Sequence, residues 1–357
     1  MKRKRSKLVP FAIIIFIVTS VMLALSRTSE NVANMLDERV SAPFRRLMAS
    51  FGDLFGFSLF EIIVLLLPAV AVFVIWRCVV LFSRGEGGVR FVANILSIAL
   101  LLYSGNTLAL GISYNTTAVE TRLALPDTQI TEQSLKDAFS ELCLEVNALS
   151  EQITYENGES KSGYTLDEIS EKLCDGFEIL ADTYGFPDSF DSRAKGVDAF
   201  NIMSYLRLSG IYTYYTGEAN VNLDYPDFDI VFTAAHELSH QRGVLRENEA
   251  SFVGYLACHS STDPYIRYSA ALSMLDYIGT ALWRTNPDAY YEILNTLDSR
   301  ALDDLRASYA VTAKYGDTFL ADISNFVNDL FLKSNGTDGV VTYGRVVTLY
   351  MSYREIR

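Results

Sequence analysis

The sequence predicts a mainly α chain in two parts, three N-terminal membrane-spanning helices followed by a large helical domain with one small sheet. Three observations carry this reading. Half of the 357 residues are hydrophobic and only 20% are charged. Apolar runs of roughly 20 residues, enough to cross a bilayer as a helix, are confined to the first third. Beyond residue 113 the apolar residues recur mostly with helical spacing.

The spans are residues 8–26 (LVPFAIIIFIVTSVMLALS), 58–82 (SLFEIIVLLLPAVAVFVIWRCVVLF) and 91–113 (FVANILSIALLLYSGNTLALGIS). The first follows the basic stretch MKRKRSK. Its apolar core is longer than the roughly 7–15 residues of a cleaved signal and no small-residue cleavage site follows, so it reads as an anchor. Lys2, Arg3, Lys4, Arg5 and Lys7, with Arg77, Arg84 and Arg90 around the link between spans two and three, mark the cytoplasmic side. Arg27, Arg39, Arg45 and Arg46 in the intervening loop oppose that assignment, but Glu30, Asp37, Glu38 and Asp53 accompany them. The expectation is a multi-pass protein of the cell membrane: an anchor over residues 1–113 with the lipid bilayer as partner and a cytoplasmic N-terminus, and an extracytoplasmic domain over residues 114–357. Pro68 can kink the second span and Glu61 lies near its outer end. Too few ionisable groups lie within the spans for an ion path.

The net charge of −13 falls mostly on the outer domain, which disfavours nucleic acid as a partner. Cys143, Cys174 and Cys258 lack the spacing of a disulfide framework, so buried free thiols are expected, with a Cys143–Cys174 bridge as the alternative.

In the outer domain, SLKDAFSELCLEVNALSEQI places Leu135, Phe139, Leu142 and Val146 on one stripe and predicts a helix ending in a polar turn around 155–163. TLDEISEKLCDGFEILADTYG opens with Thr165 and Glu168 at capping-box spacing and closes at Gly185. Residues 211–229, rich in Tyr and β-branched side chains around a Gly-containing turn, predict a short hairpin. PYIRYSAALSMLDYIGTALW, PDAYYEILNTL, DTFLADISNFVNDLFLK and TYGRVVTLYMSY again predict helices.

After the hairpin comes AAHELSHQRGVLRENEASF, residues 234–252, which holds two of the three histidines in the chain. Asp227 or Asp229 can cap a helix that stops at Gly243. His236 and His240 then project from one face, where both imidazoles can bind one Zn2+ ion, with Glu237 beside them as a general base. By composition such a spacing arises by chance on the order of once in a thousand chains like this one. A third protein ligand is needed, and Arg246 stands where a third histidine of the longer related pattern would be. Glu247 and Glu249 remain, about 200° apart on the next helix, so only one can face the metal. Glu249 shares a face with Phe252, Val253 and Leu256 and is preferred, because a carboxylate on a buried stripe needs a partner. Glu247, on the face of Ser251, Gly254 and Cys258, takes its place if that small-residue face is the one pressed against the motif helix. His259 falls about 80° off the face of Glu249 and reads as structural; Asn248 reads as a helix cap.

The stretch HELSHQRGVLRENEASFVGYLAC resembles the core of an uncharacterised bacterial multi-span membrane family, domain-of-unknown-function family 3810, grouped with the zincin-like metallopeptidases. The likeness extends to KGVDAFNIMSYLRLSGIYTYYTGEANVN, DPYIRYSAALSMLDY and NDLFLKSNGTDGVVTYGRVVTLY. It implies a zincin-like α+β domain with His236 and His240 as ligands, Glu237 as base and a downstream Glu as third ligand. It also implies an edge strand before the motif helix, a place that TGEANVN fits. No substrate carries over from the family.

The expectation is therefore a membrane-anchored zinc metallopeptidase acting on a peptide or protein. The sequence does not identify the oxyanion donor; Tyr268, Tyr343 and Arg345 are candidates, each of which reads more readily as structural. A zinc-stabilised envelope scaffold, and a zinc hydrolase of a non-peptide substrate such as a cell-wall amide, are the alternatives.

Overall fold

A computed structural model describes residues 7–85, 87–316, 321–322, 325–326, 329 and 345–357. The chain divides into two compact units, Met1–Thr117 with Thr213–Gly217, and Ala118–Tyr212 with Glu218–Arg357.

The first unit contains α1 (Leu8–Ser26), α2 (Glu30–Leu36), α3 (Ala42–Gly52), α4 (Leu59–Ser83) and α5 (Gly88–Asn106). Among the described residues three helices are long and apolar enough to cross a membrane: Leu8–Ser26, Leu59–Ser83 and Gly88–Asn115, the last running beyond α5 through a π-turn. α1 packs on α5, with Phe16 and Tyr103 ring to ring. Ser58 caps α4 by accepting from the Glu61 amide at 3.0 Å.

Two π-turns interrupt this unit, Asp37–Ser41 between α2 and α3 and Thr107–Gly111 after α5. Such turns expose backbone groups that the α-helical ladder would consume. Arg45, only 1% exposed, fills the space beside them. It donates to both Asp37 carboxylate oxygens at 2.9 and 3.2 Å, to the Ala109 carbonyl at 3.1 Å and to Ser113 Oγ at 2.7 Å. A buried guanidinium is tolerable only with its charge matched, and Asp37 matches it.

The second unit is helical around one small sheet. It comprises α6 (Val119–Arg122), α7 (Glu132–Ser150), β1 (Thr154–Glu156), β2 (Glu159–Lys161), α8 (Leu166–Tyr184), β3 (Ala194–Val197), α9 (Ile202–Tyr205), β4 (Gly210–Thr213) and β5 (Glu218–Asn222). There follow α10 (Asp227–Gln241), α11 (Glu247–His259), α12 (Pro264–Thr285), α13 (Pro287–Leu294), α14 (Ser299–Tyr315) and α15 (Val346–Arg354). The capping box of α8 forms as the sequence predicts, and Gly185 closes that helix in the left-handed conformation. The polar turn after α7 is itself a hairpin, β1 against β2 in antiparallel register.

The main sheet has the order β3-β5-β4. β3 runs parallel to β5, with Ala194 opposite Ala219 and Val197 opposite Asn222. β4 and β5 are joined by a tight turn in which the Gly217 amide donates to the Thr213 carbonyl at 2.8 Å; so short a connection makes them antiparallel. The edge strand that the family resemblance implied for TGEANVN, residues 216–222, is corrected here. β5 is the middle strand and every residue of it is buried. The edge role passes to β4, because β3, which the sequence did not signal, pairs with the far side of β5.

α10 crosses this sheet and is enclosed by α8, α11 and α12. Phe177, Phe228, Leu238, Phe252 and Leu272 are almost wholly buried in the shared core. α8 approaches α11 so closely that a Cβ on Gly176 would lie 2.2 Å from the Ala257 carbonyl oxygen.

Replacing Asp37 with Ala leaves Arg45 charged, buried and unmatched, and is expected to cost about 3–5 kcal/mol of first-unit stability. Unfolding of the detergent-solubilised chain by titrated SDS checks this.

Candidate functional site

α10 begins at Asp227, with Pro226 in the cap position, and runs to Gln241. The capping role expected of Asp227 or Asp229 is not seen; Asp227 is the first helical residue. His236 and His240 stand one turn apart with ring centroids separated by 4.6 Å. Each ring is tethered through Nδ1. That of His240 lies 2.8 Å from the Val244 carbonyl and that of His236 3.1 Å from Ser251 Oγ. Both Nε2 atoms are thereby aimed at a common point.

Gly243 turns the chain at that end with φ +90, a conformation that disfavours a side chain. The chain re-enters a helix at Glu247, so Arg246 holds the cap position that the sequence suggested for Asn248. α11 then returns across α10 on its small-residue face. A Cβ on Gly254 would sit 3.1 Å from the His236 amide nitrogen and 3.2 Å from the Ala235 carbonyl carbon.

This close approach selects the third member of the cluster. Glu247 Oε2 lies 3.2 Å from His236 Nε2 and 3.5 Å from His240 Nε2. One donor atom from each of the three residues falls within 4.8 Å of the others. Glu249, preferred as third ligand from the sequence, lies outside this cluster. Glu249 is buried, as its stripe predicts, but its partners are Arg246 at 2.7 Å and the Val119 amide at 3.3 Å. Packing area did not decide which face of α11 meets α10. The deciding property was which face lacks bulk.

Glu247 and His240 shift one another. Burial alone would raise the Glu247 carboxyl, but His240 and His236 outweigh it and hold it well below the usual range. Burial alone would lower His240, but the Glu247 carboxylate lifts it to about 9. Glu237, wholly enclosed beside the pair, is raised by burial against the opposing pull of both histidines. It accepts a backbone hydrogen bond from Tyr212. Its Oε2 is buried without a hydrogen-bond partner among the described residues. β4 lies directly over it, and a Cβ on Gly210 would meet Glu237 Oε1 at 2.5 Å. Nothing in the sequence marked Gly210, because a glycine before a strand usually signals only a turn.

Two nitrogens and a carboxylate oxygen converging in one place are a donor set that suits zinc, with a coordination position left for water. A buried carboxylate oxygen with no partner is costly unless something polar reaches it. The residues present therefore fit a metal with a base beside it.

Of the other sequence-selected residues, Tyr268 is buried and donates to Asp304 at 2.7 Å, away from the cluster. Arg345 adjoins α15, and Tyr343 lies outside the described residues. His259 stacks on Tyr255, faces Glu145 and is lowered to about 4, chiefly by burial, which fits a structural role. Cys143 and Cys174 are free thiols.

The chain belongs to the family described as protein of unknown function (DUF3810), which matches residues 37–351. Neither the curated proteins nor the solved structures give a match to it.

Two turns upstream on the same face of α10, Asp229 is raised to about 7, first by burial and then by Asp276 and Asp304, against a hydrogen bond from Ser308. An acid whose folded pKa lies above its unfolded value favours folding below pH 4, and that contribution is lost as pH rises through 7. Asp229→Asn is therefore expected to melt above the parent at pH 8 and to lose that advantage at pH 4, as thermal unfolding at the two pH values would show.

Proposed function

We propose that the protein is a membrane-anchored zinc metallopeptidase, with His236, His240 and Glu247 as metal ligands and Glu237 as general base. The observation that carries this is the convergence of the two imidazole Nε2 atoms and Glu247 Oε2 on one point beside a buried, unpartnered oxygen of Glu237. What bound zinc supplies is Lewis-acid polarisation of a carbonyl and of a water molecule. Glu237 accepts the water's proton and passes it to the leaving amine; its burial keeps it from being too weak a base for that transfer. β4, the outer strand of the described sheet, passes over Glu237 at Gly210. An extended peptide laid along it would bring a backbone carbonyl toward the site.

Under this reading the second unit is a zincin-like domain. The first is its bilayer anchor, with the N-terminus cytoplasmic and the site outside. A purely structural zinc centre is usually closed by four protein ligands, often cysteines. The cluster offers three and no cysteine, which favours the hydrolytic reading over a scaffold.

Glu237→Gln is expected to retain zinc and fold while lowering peptide hydrolysis by at least about 10²-fold, measured on a quenched-fluorescent peptide library with the full chain in lipid vesicles. Undiminished cleavage removes Glu237 as the base. Under identical dialysis Glu247→Ala is expected to lose zinc and Glu249→Ala to keep it; the reverse pattern contradicts the ligand assignment.

A further inference from the structure

The two histidines of the cluster are tethered by chemically different partners. The Nδ1 of His240 faces a backbone carbonyl, which can only accept. In its neutral, metal-binding form that histidine must carry its hydrogen on Nδ1 and present a bare Nε2. The Nδ1 of His236 faces Ser251 Oγ, and a hydroxyl can accept or donate. Nothing in that contact alone fixes the tautomer of His236.

The direction is set one step further out. Ser251 is 2% exposed, and among the described residues its oxygen has two hydrogen-bond partners, His236 Nδ1 and the Tyr277 hydroxyl at 3.4 Å. Its single hydrogen must go to one of them. If it goes to Tyr277, Ser251 is left to accept from His236 Nδ1–H, and Nε2 is bare. If it goes to His236, the ring hydrogen moves to Nε2, the atom that faces Glu247. Only the first arrangement leaves two bare nitrogens in the cluster.

We propose that Tyr277 is a positioning residue that fixes the His236 tautomer by accepting the hydrogen of Ser251; the inference rests on the zinc reading of the site. Tyr277 lies on α12 and Ser251 on α11, so three helices are needed to define one ligand atom. No pattern in the chain distinguishes Tyr277 from the other 20 of its 21 tyrosines.

The test is the Zn2+ dissociation constant of the detergent-solubilised full chain, measured by competition with a chromophoric chelator. Tyr277→Phe keeps the ring and its packing but removes the acceptor, and is expected to weaken zinc binding about tenfold, the lower end for a lost outer partner of a ligating histidine. Ser251→Ala removes the same control and is expected to weaken binding to a similar degree. The double variant Ser251→Ala/Tyr277→Phe should bind no more weakly than Ser251→Ala, because without Ser251 the Tyr277 oxygen has nothing to direct. A purely packing role for Tyr277 would make the two losses multiply, and that result, or an unchanged affinity in Tyr277→Phe, overturns the inference while leaving the zinc site standing. A parent chain that binds no zinc overturns the site itself, and the inference with it.

Discussion

The arrangement of the second unit turns on how closely α11 can lie against α10. At Gly254 a Cβ would sit 3.1–3.4 Å from the backbone at Ala235 and His236, tighter than ordinary contact. The approach carries Glu247 to the two imidazoles and sets Ser251 against His236. It turns Glu249 away, toward Arg246 and the Val119 amide. A Cβ at 254 would require the two helices to give by a few tenths of an ångström, and larger side chains would push them further apart.

The molecule treats its buried charges in two ways. Arg45 is matched by Asp37, and Glu249 by Arg246, so each desolvated charge meets its opposite. Around α10 the matching is incomplete. Glu247 and the histidines attract one another, yet Glu237 keeps one oxygen with no partner beside them. Arg45 Nε is likewise buried without a hydrogen-bond partner among the described residues, so what sets the remainder at Glu237 apart is its place beside the two imidazoles.

Much of this was legible in the sequence because it depends on local chemistry. Helical spacing and a glycine stop placed His236, Glu237 and His240 on one helix, apolar run length placed the candidate spans, and Thr165 with Glu168 placed the start of α8. What failed depended on which surfaces meet. Glu249 was preferred because its neighbours are bulky and apolar, and those neighbours are indeed buried, but against other helices. The small residues Ser251, Gly254 and Cys258 did carry the right signal, that of close helix approach. β5 was taken for an edge because β3, a four-residue strand 20 residues earlier, has no alternation by which to recognise it. Gly210 and Tyr277 reach the site only through tertiary contacts and left no pattern in the chain.

The most direct measurement is a zinc-edge X-ray absorption spectrum of the purified full chain, with metal content determined on the same sample. The account predicts about one zinc per chain in a shell of nitrogen and oxygen only, with the outer-shell scattering of two imidazoles. A folded chain that retains no zinc, or a shell containing sulfur, would contradict it.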